Sequence, residues 1–173
     1  MLYLYLSPVP RCEPEQTFAF HRIINNANNN ISETMTDVSV LVDSRGGNTR
    51  KVADAIAEEM GIKAMDVTTS SSDDAKILFL GSGIYAGKPG EAMMKFIESG
   101  DFSGRKVALF GTSASLAGGQ KLITTMTDAL IKKGATIAGS YHCRGKMFLI
   151  NRGHPDNEDL ENAKKFARMM KKE

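Results

Sequence analysis

From Met35 onward, short β-branched runs alternate with stretches in which apolar residues recur every three or four positions. Val38-Ser39-Val40-Leu41-Val42-Asp43 is a compact apolar run, as expected of a strand covered on both faces. Thr49 to Met60 follows, with Val52, Ile56 and Met60 on one helical stripe and Gly61 placed to stop the helix. Lys63 to Val67 predicts a short second strand, and Lys76 to Gly81 a third. A helix from about Pro89 to Ser99 turns Met93, Phe96 and Ile97 inward, has Pro in its first turn and is closed by Gly100. Lys106 to Gly111 predicts the fourth strand. Leu122, Met126, Ala129 and Leu130 mark the next helix, ended by Gly134, and Thr136 to His142 the fifth strand. The last helix runs from about Asp156, an N-cap residue, to Lys171. Glu158, Asp159 and Glu161 near its start, and Lys171 and Lys172 near its end, complement the helix dipole.

Five strands alternating with four helices predict an α/β fold: a doubly wound parallel sheet, right-handed crossovers and helices on both faces. No fixed-period repeat points to a solenoid. The first 34 residues follow a different pattern. Leu2 to Leu6 is apolar, but no basic segment precedes it and Pro8 and Pro10 end it, so it does not match a secretory signal. Asn25 to Asn30 is polar and of low complexity. Residues 1–34 are therefore expected to be a disordered extension or an upstream mis-start, with the domain spanning 35–173.

Composition narrows the function classes. The chain has 173 residues, 42% hydrophobic and 24% charged, with a formal net charge of +2. That charge is too small for a nucleic-acid binder, and no run approaches the ~18 apolar residues of a membrane span. Cys12 and Cys143 show no metal-ligand spacing and read as reduced thiols in the cytoplasm, Cys143 as a small buried one. His142 and His154 flank the last connection without a nucleophile beside them, which favours structural roles.

In an open parallel sheet, ligands bind beyond the carboxyl ends of the strands. Three of the segments found there are rich in Gly and hydroxyls: Ser44-Arg45-Gly46-Gly47-Asn48-Thr49, Ser82 to Gly90, and Thr112 to Gln120. The first has the chemistry of a phosphate cradle. Its two glycines permit close backbone approach, Ser44, Asn48 and Thr49 carry donors, and a helix begins there with its amides free. It is neither a Walker loop nor the three-glycine dinucleotide pattern.

Ser44 to Thr49 resembles the FMN phosphate loop of flavodoxins. Gly81 to Gly87 is similar to that family's second flavin loop, and Phe110-Gly111-Thr112-Ser113 with Gly118-Gly119 to its third. The resemblance covers Met35 to the C-terminus and is of the short-chain type. It implies the strand order 2-1-3-4-5, FMN as cofactor, electron transport, and a monomer or weak dimer. It further implies that Ser44, Gly47, Asn48 and Thr49 hold the phosphate, with Arg45 and Gly46 beside them. Ile84, Tyr85, Ala86 and Gly87 would line one side of the ring system, and Thr112, Ser113, Ala114, Gly118 and Gly119 the other. Tyr85, the only aromatic in the three loops, is the candidate for stacking on it.

Three departures matter. Gly46 stands where the family usually has Thr, and Arg45 offers phosphate pairing instead. The third loop has no Trp or Tyr, so Leu116 or Ala117 must cover the second face and binding is expected to be weaker than usual. Residues 35–173 hold 20 Lys plus Arg against 17 Asp plus Glu, whereas flavodoxins are usually strongly acidic. A less acidic surround should raise the potential for the second electron and suit a redox partner with an acidic docking face. A receiver domain is excluded because Gly81-Ser82 occupies the phosphoacceptor position, and a low-molecular-weight phosphatase because the first loop has no Cys. A small FMN-dependent oxidoreductase, of the quinone reductase or protoporphyrinogen oxidase kind, and a flavin-free scaffold of the same fold remain as alternatives to the carrier.

Overall fold

The computed structural model describes residues 38–69 and 75–171. The elements run β1 (Val38–Asp43), α1 (Asn48–Met60), β2 (Met65–Asp66), β3 (Ile77–Tyr85), β4 (Lys88–Pro89), α2 (Glu91–Ser99), β5 (Lys106–Ser113), α3 (Leu116–Lys132), β6 (Thr136–Arg144) and α4 (Asn157–Lys171). The sheet order is β2-β1-β3-β5-β6, every pair along it parallel, and β4 is a two-residue antiparallel addition to β3. Counting the parallel strands alone, this is the expected 2-1-3-4-5 arrangement. The expectation for residues 1–34 lies outside the described residues.

Alternation along the central strands sorts their side chains into two cores. Val40, Val42, Phe79, Ala108 and Phe110 pack under α1 and α4, against Val52, Ile56, Ala163 and Phe166. Leu41, Leu78, Leu80, Val107 and Leu109 pack under α2 and α3, against Met93, Ile97, Leu122, Met126 and Leu130. Burial on both faces explains why these strands read as continuous apolar runs rather than alternating ones. Of the inward residues expected on α2, Met93 and Ile97 are fully buried, and Phe96 sits edge-on to Phe102 with ring centroids 5.9 Å apart.

Several boundaries shift, most of them toward the site; the exception is β2, where only Met65 and Asp66 of the expected 63–67 pair with β1. β3 runs four residues beyond the expected Gly81, because Ile84 and Tyr85 pair with Pro89 and Lys88 across the Ala86-Gly87 turn. Both turn residues have positive φ, 49° and 78°, as a tight two-residue hairpin turn requires. Pro89 is therefore a strand residue, and α2 starts at Glu91. β5 runs on through Thr112 and Ser113, paired with Cys143 and Arg144 of β6. α3 starts at Leu116, capped by the Ser115 hydroxyl, which accepts from the Gly118 amide at 3.1 Å. At α1, Gly61 takes the left-handed conformation (φ 71°) that ends the helix. At α4, Asp156 and Asp159 cap reciprocally, each carboxylate accepting the other's amide, and His154 Nδ1 lies 2.7 Å from Asp159 Oδ2.

Cys143 is buried, as expected, and burial pushes its thiol up to about 12, with the Asp159 carboxylate adding to the shift. At pH 8 this leaves roughly a thousandfold less thiolate than in an ordinary cysteine. Alkylation of the Cys143 peptide by iodoacetamide, followed by mass spectrometry, should be at least ~100-fold slower in the folded protein than in guanidinium. Because the folded protein holds this proton more tightly, the thiol's contribution to stability falls as pH rises from the ordinary value of 9.0 toward about 12.

Candidate functional site

The carboxyl ends of β1, β3 and β5 bring the three Gly- and hydroxyl-rich segments to one edge of the sheet. Between them lies a cavity of about 350 Å³, walled by Ser44, Gly46, Asn48 and Thr49 from the first segment. Gly83, Ile84, Tyr85 and Ala86 come from the second, and Thr112, Ser113 and Ala114 from the third. Of the other residues expected at the site, Arg45 and Gly47 belong to the first turn but do not line the cavity, and Gly87 stands at the outer tip of the β3–β4 hairpin. Gly118 and Gly119 are helical rather than part of a loop, and neither lines the cavity. The absent Cβ of Gly119 makes room for the His142 ring, which such an atom would overlap.

The first segment leaves a row of backbone amides open at the start of α1. Gly47 takes φ 79°, turning the chain directly into α1. The Ser44 hydroxyl accepts the Arg50 amide at 3.1 Å, and the Lys51 amide reaches the Gly47 carbonyl at 3.1 Å. The amides of Gly46, Gly47, Asn48 and Thr49 are thus left without a protein acceptor among the described residues, at the positive end of a 13-residue helix. Below the turn, the buried hydroxyls of Thr49 and Thr112 lie 2.8 Å apart and tie α1 to β5.

Tyr85 is oriented by this same turn. Its hydroxyl accepts the Arg45 amide at 2.8 Å, and the Arg45 guanidinium lies over its ring at 4.5 Å from the centroid. Gly83 makes this possible, since a Cβ there would stand 2.7 Å from the Tyr85 hydroxyl. The ring therefore packs between the first and second segments, one face taken by Arg45. The second segment is anchored from below. The Asp43 carboxylate, buried at the end of β1, accepts the Met93 amide at 3.2 Å and so caps α2 from another strand. Gly90 has no side chain to obstruct it, and the Gly90 amide donates to Ser82 Oγ at 2.8 Å.

A fourth wall escaped sequence reasoning. Gly145, Lys146 and Met147, immediately after β6, complete the cavity. The Gly145 amide donates to the Ser113 carbonyl at 2.8 Å, Asn48 Nδ2 to the Lys146 carbonyl at 2.8 Å and the Lys146 amide to the His154 carbonyl at 3.0 Å, while Asn151 Nδ2 bridges the Ala114 and Gly145 carbonyls at 2.8 and 3.3 Å. Cations predominate in the segments at this edge. Segments 44–49, 84–90, 112–122 and 144–153 carry Arg45, Lys88, Lys121, Arg144, Lys146 and Arg152 and no Asp or Glu. Two acids adjoin them in sequence: Asp43, buried and accepting the Met93 amide, and Glu91, engaged by Lys95 at 2.8 Å, which holds its carboxyl below the usual range.

An amide cradle at a helix start, opening into a slot walled by three further backbone segments, suits a ligand with a phosphate at one end and a flat ring at the other. Comparison with known proteins identifies the fold and the family. A relative from Methanocaldococcus jannaschii, itself uncharacterized, is 29% identical over 136 residues, spanning 72% of this chain and 91% of that protein. Flavodoxin 2 of Bacillus cereus superposes with a TM-score of 0.66 at 19% identity, covering 79% of this chain and 99% of its own. A short-chain flavodoxin associated with a bacterial microcompartment gives 0.62 at 24% identity, over 80% and 98%. The flavodoxin domain profile matches residues 39–151, well over half of the chain, and the chain belongs to that family.

Proposed function

We propose that the protein binds FMN in the cavity at the edge of β1, β3 and β5 and carries electrons between redox partners in the cytoplasm. The observation that carries this reading is the run of four amides, 46–49, open to an anion at the start of α1. Ser44, Asn48 and Thr49 hold the phosphate with those amides, and Arg45 adds a charge. Ile84, Tyr85 and Ala86 lie along one side of the ring, with Thr112, Ser113, Ala114 and Met147 along the other. Bound FMN supplies one- and two-electron chemistry, and the protein supplies position and electrostatics.

Two features favour a carrier over an enzyme. At about 350 Å³ the cavity leaves little room for a second substrate beside a flavin, and Lys146 is the only charged residue among its described lining residues. Reduced flavin is an anion, so Lys146 in the cavity wall and the excess of cations along the surrounding segments stabilise it and raise the potential for the second electron above that of acidic relatives. Arg45, Lys88 and Lys121 form the cationic edge that meets a partner's acidic face, Lys121 Nζ lying near the Gly87 turn.

Titration of the folded protein with FMN, followed by quenching of flavin fluorescence, is expected to give a Kd below about 1 μM, an affinity near 8 kcal/mol. No binding at tenfold higher concentration overturns the reading. Spectroelectrochemistry of the complex then tests the charge argument, and reoxidation by a quinone in the absence of any protein partner would assign the molecule to the enzyme alternative.

A further inference from the structure

Beyond the fourth wall, four consecutive apolar side chains stand in solvent. Met147 is 45% exposed, Phe148 88%, Leu149 72% and Ile150 55%. The other exposed large apolar residues among those described, Met65, Leu116, Ile131 and Met169, are scattered singly, as is ordinary for a soluble surface. This run is held in shape: Met147 and Ile150 exchange backbone hydrogen bonds at 3.1 and 2.9 Å, closing a turn with Phe148 and Leu149 at its tip. Phe148 has φ 51°, a conformation that Gly or Asn fills more readily. Turn chemistry does not ask for Phe there, so its presence points to its side chain.

Charge is layered along the same hairpin. Arg144, Lys146 and Arg152 flank the apolar tip on both strands toward the base, and no Asp or Glu occurs from 144 to 153. A protein partner is met by an apolar centre and a polar rim lying in one plane. Here Phe148 and Leu149 form the exposed tip of the turn and the cations lie on either side of it toward its base, the order in which an anionic bilayer presents headgroups and acyl chains to an approaching element. The base is clamped to the core of the site through Asn48, Ser113 and Asn151, so the tip is presented with little ordering left to do.

We propose that the Met147 to Ile150 tip docks the protein on anionic lipid surfaces, Phe148 and Leu149 entering the interface while Arg144, Lys146 and Arg152 engage headgroups. This goes beyond the electron-carrier reading and does not depend on it, since lipid binding is read with or without FMN.

Co-sedimentation of the full 173-residue chain with vesicles of phosphatidylcholine containing 40% phosphatidylglycerol tests it. Binding should be at least 10-fold stronger than to pure phosphatidylcholine and should weaken in 0.5 M salt. Phe148→Asn with Leu149→Ser, substitutions that suit the turn and touch no cavity wall, should lower binding by about 10-fold or more. Arg144→Gln with Arg152→Gln should lower it by roughly 30-fold on anionic vesicles, at about 5-fold per charge. Unchanged circular dichroism and thermal midpoint certify that the variants fold. No sedimentation of the wild type at millimolar lipid overturns the proposal. So does undiminished binding by the tip variant, which would place the lipid contact elsewhere in the chain. Binding that survives the tip variant and vanishes with the two arginines also overturns it, marking a purely electrostatic face of the kind an acidic protein uses.

Discussion

Arg45→Glu is expected to weaken FMN binding by about 100-fold, some 2.7 kcal/mol, while changing riboflavin binding by less than about 3-fold. The two ligands differ only in the phosphate, so the ratio of their affinities isolates the first turn. The substitution removes a guanidinium that lies over the Tyr85 ring, from the residue that directly precedes the amides of 46–49, and sets a carboxylate against a dianion. At separations near 6 Å and an effective dielectric between those of water and a partly buried site, each change of charge is worth about 1–2 kcal/mol. Arg45→Gln should fall between, near 10-fold, and 0.5 M salt should shrink both effects. Isothermal titration of the two ligands against the three proteins measures all of this. An equal loss of both ligands would mean that Arg45 acts through Tyr85, whose ring it covers and whose hydroxyl it binds, rather than on the phosphate.

How far the site could be read from the chain depended on whether a residue's role was local. Strand runs such as Val38–Asp43 and the stop at Gly61 were legible because burial on both faces and a left-handed cap leave marks within a few residues. The start of α1 was legible for the same reason: a two-glycine turn ahead of an apolar helical stripe marks a helix start within a few residues. The second and third segments were found, but their ends were misplaced. Nothing local says that β3 continues past Gly81, since its extension depends on pairing with Lys88 and Pro89, nor that Gly118 and Gly119 are helical. Both glycine clusters looked like loops because glycine marks turns, yet Gly119 is small to admit His142 and Gly90 to admit Asp43. The fourth wall was invisible, because Asn48, Ser113 and Asn151 meet Gly145 and Lys146 across up to 98 positions of sequence. Long-range contact, not composition, builds that side of the cavity.

Gly81 and Phe110 show the same lesson in a form that stability measurements can read. They face each other across β3 and β5, and a Cβ on Gly81 would overlap the Phe110 ring, which is fully buried in the core under α1 and α4. Gly81→Ala alone is expected to destabilise the domain by about 3 kcal/mol, because the ring has no free volume to move into and the central strands cannot shift. Phe110→Ala alone should cost about 4 kcal/mol as a cavity. If each residue is sized for the other, the new methyl fills part of the space the ring leaves, and the double variant should lose only about 4–5 kcal/mol rather than the sum. Denaturant unfolding of the four proteins at equal slope gives the coupling directly, about 2–3 kcal/mol of mutual compensation. Additive losses would mean that Gly81 is required for a reason other than the ring. With flavin affinity measured on Gly81→Ala, the cycle also separates packing from binding. A variant less stable by this amount but still binding FMN normally would place Gly81 in the sheet that positions the site, with cofactor contact beginning only beyond it, where β3 passes the end of β1.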